Sequence, residues 1–248
     1  MSSFHKKTKS TISSAPLNLF FLYGRIVMNN IGLGDKVMKF IVDQDTVRDH
    51  EKYLQIMEMA EDSTVDFATD SKFQRLYSGY YFPSPIKKSF KDSYFSYMQQ
   101  CRNDHPSFRT VLEHLYQHSE GAVHFSFASK LLHTVNRDEP VLDRHIMRLM
   151  GFDIMHPQVI NPKDKDFTEK KEKDTRSRMD YYDKAFSAIK AEYENYRNEP
   201  FMLDAIEKFD AMFANFKSVS YMKKVDLLLF RLRQERGASM LDYLCKAF

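Results

Sequence analysis

The sequence predicts an all-α protein, and three observations support this fold class. The 248-residue chain contains only 7 glycines and 8 prolines, whereas a sheet protein with many turns usually needs more of both. Apolar residues recur at three- and four-residue intervals along most of the chain, which is typical of amphipathic helices. Hydrophobic residues make up 43% of the chain and aromatic residues 14%, which is enough to fill a core. We therefore expect a compact body of about ten helices.

The same periodicity orders the helices along the first half of the chain. The segments GDKVMKFIVDQ and VRDHEKYLQIMEMAED predict two early helices, and IKKSFKDSYFSYMQQC predicts another after a polar and aromatic stretch. SFRTVLEHLYQHSEG follows, with Gly121 as its expected C-terminal stop. A helix from about Phe127 to Val135 should end at Asn136, and DRHIMRLMG should begin the next helix with Asp143 at its N-cap.

The second half continues as helices. Residues 167–197 carry many charges of both signs at spacings that allow i,i+4 pairs, which predicts a solvated helix and not a nucleic-acid surface. Pro200 should break this helix, and FMLDAIEKFDAMFANF, SYMKKVDLLLFRLRQ and ASMLDYLCKAF should follow as helices with apolar stripes. We expect residues 16–248 to form a single helical domain. Residues 1–15 are expected to form a disordered basic tail, with a transit peptide or a phosphate-contacting arm as alternatives.

Composition excludes several classes of protein. A formal net charge of +3 is too small for a surface that binds nucleic acid all over, so any DNA contact must be local. Cys101 and Cys245 are far apart and form neither a disulfide framework nor a zinc motif, which favours a reducing, cytoplasmic compartment. The acids and histidines show no ligand spacing for a metal, and we expect no cofactor. LNLFFLY is too short to span a membrane, so we expect no membrane role.

Candidate chemistry is concentrated in residues 124–145. On a helix, Lys130, His133 and Thr134 would share one face because three- and four-residue steps align side chains. Each of the residues here also has an ordinary structural explanation. Asp143 is a common type of helix cap, Lys130 could extend its amine from a half-buried face to solvent, and His133 could be a packing residue. Taken singly, these residues indicate no activity.

Taken together, these residues resemble a known family. The segment FSFASKLLHTVNRDEPVLDRHIMRLMG is similar to the active-site region of the helix-hairpin-helix DNA glycosylases, in which a lysine opens a helix after a hairpin and an aspartate caps the following helix. Lys130 and Asp143 match these two positions. SVSYMKKVDLLLFRLR resembles the C-terminal helix of compact bacterial proteins with the 8-oxoguanine DNA glycosylase fold. The likeness is sharpest over residues 123–151 and 217–235.

The resemblance implies a two-lobed helical bundle around a cleft, which excises a damaged or modified base from duplex DNA. Asp143 would stabilise the oxocarbenium-like sugar. Lys130, at a helix N-terminus and partly buried, would have a lowered pKa, attack C1′ and give abasic-site lyase activity through a Schiff base. The hairpin of the family usually contains glycines whose backbone grips a phosphate. Here HFSFASK stands at that place, and Lys130 and Asp143 are separated by 13 residues, fewer than in the better-known enzymes.

Further residues are predicted around this pair. His133, Thr134, Tyr81 and Phe82 are candidates for the base pocket, with core packing as the alternative for the aromatic pair. Candidates for DNA-backbone contacts are Ser126, Ser129, Lys88 and Arg144, together with Lys87, Lys91, Lys223 and Lys224, of which the last two could equally form a solvated face.

The expected protein is a monomer in the bacterial cytosol or nucleoid. Its setting is either DNA repair or defence against phage genomes that carry modified bases. The alternative is a module of the same fold that binds DNA or another partner without chemistry.

Overall fold

In the computed structural model, residues 44–82, 86–119 and 121–234 are described, and these residues contain α-helices and short 3-10 turns but no strand. The prediction of an all-α fold is confirmed for this part of the chain. Its α-helices are α1 Gln44–Glu61, α2 Ser71–Tyr81, α3 Lys88–Asp104, α4 Phe108–Gln117, α5 Phe125–Val135, α6 Arg144–Leu149, α7 Phe167–Asn195, α8 Pro200–Met212 and α9 Tyr221–Gln234. The predicted tail at residues 1–15, the first predicted helix and the last one lie outside the described residues.

Several helix boundaries follow from local side-chain chemistry. Asp70, Ser107 and Asp143 each accept a hydrogen bond from a backbone N–H of the first turn that follows, which satisfies donors that no helical carbonyl can reach. Asn136 is the C-cap of α5, as predicted. Pro200 does not break α7, because it lies five residues after the last residue of that helix, Asn195. It is the first residue of α8, a position where its missing N–H costs nothing and its fixed φ favours the helix.

The helix α2 was missed by the sequence patterns. Its segment, SKFQRLYSGYY, contains serine, glycine and several aromatic residues, which are weak helix formers, and only its buried residues reveal the helical spacing. Phe73, Tyr77 and Tyr81 lie at four-residue intervals and are buried. Burial of this aromatic stripe against the core therefore outweighs its poor helix propensity.

The core surrounds α5, which packs against α1, α3 and α4. Two buried tyrosine hydroxyls connect α2 and α3 to α5 by hydrogen bonds. The hydroxyl oxygens of Tyr77 in α2 and Tyr94 in α3 are 2.8 Å apart, and the Tyr94 hydroxyl donates to the backbone oxygen of Phe127 in α5 at 2.9 Å. On α5, Leu131 and Leu132 are buried, while Phe127 and Val135 are half-buried.

The charged helix α7 is not solvated all round, contrary to the sequence-based prediction. One face of this 29-residue helix is buried, and α7 packs against α4. Its buried face even contains an ion pair, in which Arg178 Nε lies 2.9 Å from Asp174 Oδ2. Because polar residues interrupt this buried face, the hydrophobic periodicity of the sequence did not reveal it. None of the described helices combines the length and the apolar character needed to cross a membrane.

Candidate functional site

The first candidate residue, Lys130, lies on the second turn of α5. The helix already begins at Phe125, because the residues HFSFASK form its start and not a separate hairpin. The expectation that Lys130 opens a helix directly after a hairpin is therefore wrong. The turn before α5 instead contains Gly121, whose φ of +82° lies in the left-handed region that glycine adopts at little cost.

The second candidate residue, Asp143, is the N-cap of α6, as predicted. Its Oδ1 atom accepts hydrogen bonds from the backbone N–H groups of His145 at 2.7 Å and Ile146 at 2.8 Å. Because both bonds end on the same oxygen, Oδ2 forms no hydrogen bond with any described residue. Capping thus orients the carboxylate and leaves one of its oxygens for another partner.

Lys130 and Asp143 line the same cavity, which has a volume of about 270 Å³. Elements distant in sequence enclose it, because α2, α5, the start of α6 and α9 all contribute side chains. The other lining residues are His50, Gly79, Tyr80, Tyr81, Val141, Lys223, Asp226, Leu227 and Phe230. Its wall therefore combines apolar and aromatic surface with two lysines and two aspartates. Such a mixture is typical of sites that bind and orient a small polar group.

The amine of Lys130 is held within this cavity. Its Nζ donates a hydrogen bond to the backbone oxygen of Tyr81 at 3.0 Å and lies 5.6 Å from the centre of the Phe127 ring and 5.7 Å from that of Tyr81. Burial lowers the pKa of Lys130 to about 8, although the Asp143 carboxylate acts in the opposite direction. At pH 7.5 roughly a quarter of such a lysine is neutral, compared with about one part in a thousand for an ordinary lysine.

A second charged pair, Lys223 and Asp226, lies in the same wall and was not identified from the sequence. Lys223 Nζ is 2.6 Å from Asp226 Oδ2, and both side chains are buried. Burial acts to lower the pKa of Lys223, but the carboxylate of Asp226 and the hydroxyls of Tyr80 and Tyr53 together outweigh it and raise this pKa well above the ordinary value. The i,i+3 spacing of the two residues on α9 was a signal that could have indicated the pair.

Neither Lys223 nor Lys224 is the phosphate-binding or solvated residue that was expected. Lys224 Nζ is 2.8 Å from Asp210 Oδ2, and the lysine is buried like its neighbour. Lys223 and Lys224 of α9 therefore lie buried in ion pairs, in which the acidic partners offset the loss of hydration.

Among the predicted base-pocket residues, only Tyr81 lines the cavity. Its hydroxyl is buried and finds no hydrogen-bond partner among the described residues. Phe82 packs instead against Phe127 at a ring distance of 5.0 Å. Tyr81 therefore lines the cavity, whereas Phe82 belongs to the core.

His133 and Thr134 also lie in the core, contrary to prediction. His133 is fully buried, and both ring nitrogens are bonded, Nδ1 to the backbone oxygen of Glu139 at 2.6 Å and Nε2 to the Tyr53 hydroxyl at 2.8 Å. Thr134 donates to the backbone oxygen of Lys130 at 2.8 Å. No polar atom of His133 is left for a base, and neither residue lines the cavity.

The predicted DNA-backbone contacts fall into two groups. Lys88 and Arg144 are exposed, each as the first residue of its helix, and remain available for phosphate contacts. Ser126 is half-buried in the first turn of α5. Ser129 is fully buried, and its hydroxyl is bonded to the backbone of Leu142, so a DNA contact by Ser129 is excluded. Its small polar side chain serves a buried contact, which the helical periodicity alone did not indicate.

Other kinds of site find less support in the described residues. No group of three or more His, Cys, Asp or Glu side chains is arranged there to hold a metal ion. Cys101 is buried, and burial raises the pKa of its thiol to about 11, so little of the reactive thiolate is present near neutral pH. Cys245 lies outside the described residues.

Comparisons of this chain with protein-family models, with curated proteins and with solved structures found no match.

Proposed function

We propose that this protein is a DNA glycosylase with abasic-site lyase activity, built on a two-lobed helix-hairpin-helix glycosylase-like fold. The observation that carries the proposal is the shared cavity, in which a lysine with a lowered pKa lies together with an aspartate whose Oδ2 forms no hydrogen bond with any described residue. A neutral amine and a carboxylate are the two groups that base excision through a Schiff base requires. The likeness of the segment around Lys130 and Asp143 to the glycosylases adds to this argument.

Asp143 would act on the sugar. Cleavage of the bond between base and C1′ builds positive charge on the deoxyribose, and a nearby carboxylate stabilises this charge as it develops. The hydrogen bonds that α6 donates to Oδ1 fix the carboxylate, so that it needs little reorganisation during the reaction. Oδ2 would face the sugar ring.

Lys130 would be the nucleophile. Its neutral amine attacks C1′ and forms the C–N bond, while the bond to the base breaks and the base leaves with the electron pair and gains a proton. The C1′–O4′ bond then breaks and O4′ gains a proton, which opens the sugar ring and yields a protonated Schiff base between Nζ and C1′. Loss of a proton from C2′ forms the C2′–C3′ double bond, and the 3′ phosphate leaves with the electron pair of its bond to C3′, which cleaves the strand. Lys130 forms no ion pair with any described residue, and burial outweighs the opposite effect of the Asp143 and Asp226 carboxylates on its pKa.

The substrate would be duplex DNA with a damaged or modified base, which must leave the stack to reach the cavity. Tyr81 remains a candidate for contact with that base, since it lines the cavity. Exposed Lys88 and Arg144 are candidates for phosphate contacts. The setting is either base excision repair or defence against phage genomes with modified bases. A panel of duplexes with oxidised or glucosylated bases separates these settings by which base is released.

The test of the proposed function uses a duplex with a single abasic site and sodium borohydride, which reduces a Schiff base to a stable amine. Wild-type protein should form a covalent adduct, and Lys130→Ala should form none. Lys88→Ala is a matched control, because it removes an exposed lysine outside the cavity lining and should lower DNA affinity without abolishing the adduct. An adduct of undiminished yield with Lys130→Ala would refute the assigned nucleophile.

The second candidate function is a binding module of the same fold without chemistry. One observation favours it: Lys130 Nζ is already bonded to the Tyr81 carbonyl, so the lysine also fits a purely structural role. A folded wild-type protein that binds duplex DNA but forms no borohydride adduct would support this candidate against the first.

A further inference from the structure

A buried serine of α5, Ser129, forms hydrogen bonds with the connection between α5 and α6. Ser129 Oγ accepts a hydrogen bond from the Leu142 N–H at 2.8 Å. Its single proton has two acceptors within reach, the carbonyl oxygen of Leu142 at 3.0 Å and that of Ser126 at 3.1 Å. Both Ser129 and Leu142 are fully buried. The hydrogen bond from the Leu142 N–H is short and buried, so it restricts movement of Leu142 away from the helix.

The two residues joined by this contact are the direct neighbours of the candidate catalytic pair. Lys130 follows Ser129 on α5, and Asp143 follows Leu142 at the start of α6. Asp143 is itself fixed to α6 by its cap hydrogen bonds. The Ser129 hydroxyl is therefore a short link between the backbone that carries the amine and the backbone that carries the carboxylate.

We propose that Ser129 is a positioning residue for the proposed reaction, because its hydroxyl holds the Leu142 backbone against α5 and so fixes the Asp143 carboxylate relative to Lys130. This inference rests on the proposed function. Ser129 does not contact the substrate and acts only through Asp143. It replaces the DNA-backbone contact that the sequence predicted for this serine.

A separate contact allows the role of Ser129 to be isolated. His133 also holds the connection, since its Nδ1 donates to the Glu139 carbonyl at 2.6 Å, three residues before Leu142. In Ser129→Ala the connection therefore stays attached at Glu139 and loses only its attachment beside Asp143. We expect the variant to fold with a misplaced carboxylate.

The test measures borohydride trapping on an abasic-site duplex under single-turnover conditions. On this substrate, loss of water from the amine adduct at C1′ gives a protonated Schiff base, so positive charge again develops where the Asp143 carboxylate would stabilise it. Ser129→Ala should slow trapping about ten- to a hundredfold, as expected for a reacting group displaced by about 1 Å, with an unchanged half-saturating DNA concentration. In an Asp143→Asn background, the same serine substitution should cause no further loss, because Ser129 acts through the carboxylate that is already missing.

Two further variants control for stability. Ser107→Ala is the same substitution at the N-cap of α4, where the hydroxyl accepts from the Thr110 N–H at 3.1 Å, and it should leave the trapping rate unchanged. Ser129→Cys leaves no cavity, since its side chain is slightly larger than that of serine, but it offers only a weak hydrogen-bonding thiol, so it should slow trapping as Ser129→Ala does.

Three results would overturn the inference: a wild-type trapping rate in Ser129→Ala, an equal fold-loss in the presence and absence of the Asp143 carboxylate, or a change confined to DNA affinity. An adduct with wild type but one of these results would refute the role of Ser129 and leave the proposed function standing. No adduct with wild type would refute the proposed function and this inference together.

Discussion

Lys130 Nζ is bonded to the backbone oxygen of Tyr81 at 3.0 Å, and it forms no ion pair with Asp143 although both residues line one cavity. A carbonyl is a weaker partner than a carboxylate for an ammonium group, so this contact only partly offsets the loss of hydration on burial. The amine therefore loses its proton more readily than an ordinary lysine. This relationship connects the packing of α2 against α5 to the chemistry proposed for Lys130.

The rate of borohydride trapping should depend on pH through the pKa of Lys130. This pKa is lowered to about 8 by burial, and only the neutral amine attacks, so the rate should rise up to about pH 8 and then level off. Trapping rates between pH 6 and 10 test the prediction. A rate that still rises tenfold per pH unit above pH 9 would indicate an ordinary lysine and contradict it.

Asp143→Asn should shift this profile as well as lower the rate. The carboxylate of Asp143 raises the pKa of Lys130, so its removal should move the midpoint to lower pH. The residual trapping of the variant, measured over the same pH range and scaled to its own plateau, gives the midpoint. A shift to higher pH would mean that the two groups do not interact as the structure indicates.

His133 should make the protein less stable in acid. Burial lowers the pKa of His133 to about 3, so between pH 6.5 and 3 the unfolded state binds a proton that the folded state does not. The free energy of unfolding should therefore fall as the pH falls through this range, by up to about 1.4 kcal/mol per pH unit for one proton.

Urea unfolding at several pH values measures this dependence. In His133→Gln the slope should decrease by up to that amount, whereas His156→Gln, which replaces an exposed histidine, should retain the wild-type slope. Equal slopes in wild type and His133→Gln would show that His133 is not the group responsible.

The sequence located the cap of α6 and the C-cap of α5 because both depend on local chemistry. Asp143 and Asn136 act within a few residues of themselves, so their positions in the chain are enough to predict them. The resemblance to the glycosylases, and not local chemistry, singled out the pair Lys130 and Asp143, and the structure places both in one cavity.

Contacts between distant segments could not be predicted in this way. The side-chain periodicity of α5 places His133 near Lys130 but does not show that Tyr53, 80 residues earlier, occupies one of its ring nitrogens. Lys223 was treated as a surface lysine because a single sequence gives no sign that α9 is buried against the cavity. Tertiary packing decides which polar residues face a site and which form their hydrogen bonds within the core.

The Lys223–Asp226 pair should be important for stability. Lys223→Met leaves a carboxylate buried without its partner, which typically costs about 3–5 kcal/mol. The double variant Lys223→Met/Asp226→Leu removes both charges and should recover most of this loss, because buried ion pairs are often replaceable by apolar residues. Chemical denaturation of both variants checks the prediction. A double variant less stable than Lys223→Met would contradict it.

The most direct measurement of the central claim is identification of the residue that becomes bound to DNA. The borohydride-reduced adduct of wild-type protein and an abasic-site duplex is digested with protease and nuclease, and the modified peptide is sequenced by mass spectrometry. We expect the remnant of the sugar on Lys130, within the segment Phe125–Val135. A remnant on any other lysine, or an unmodified protein from a reaction that contains folded enzyme and intact abasic sites, would contradict the proposal that Lys130 is the nucleophile.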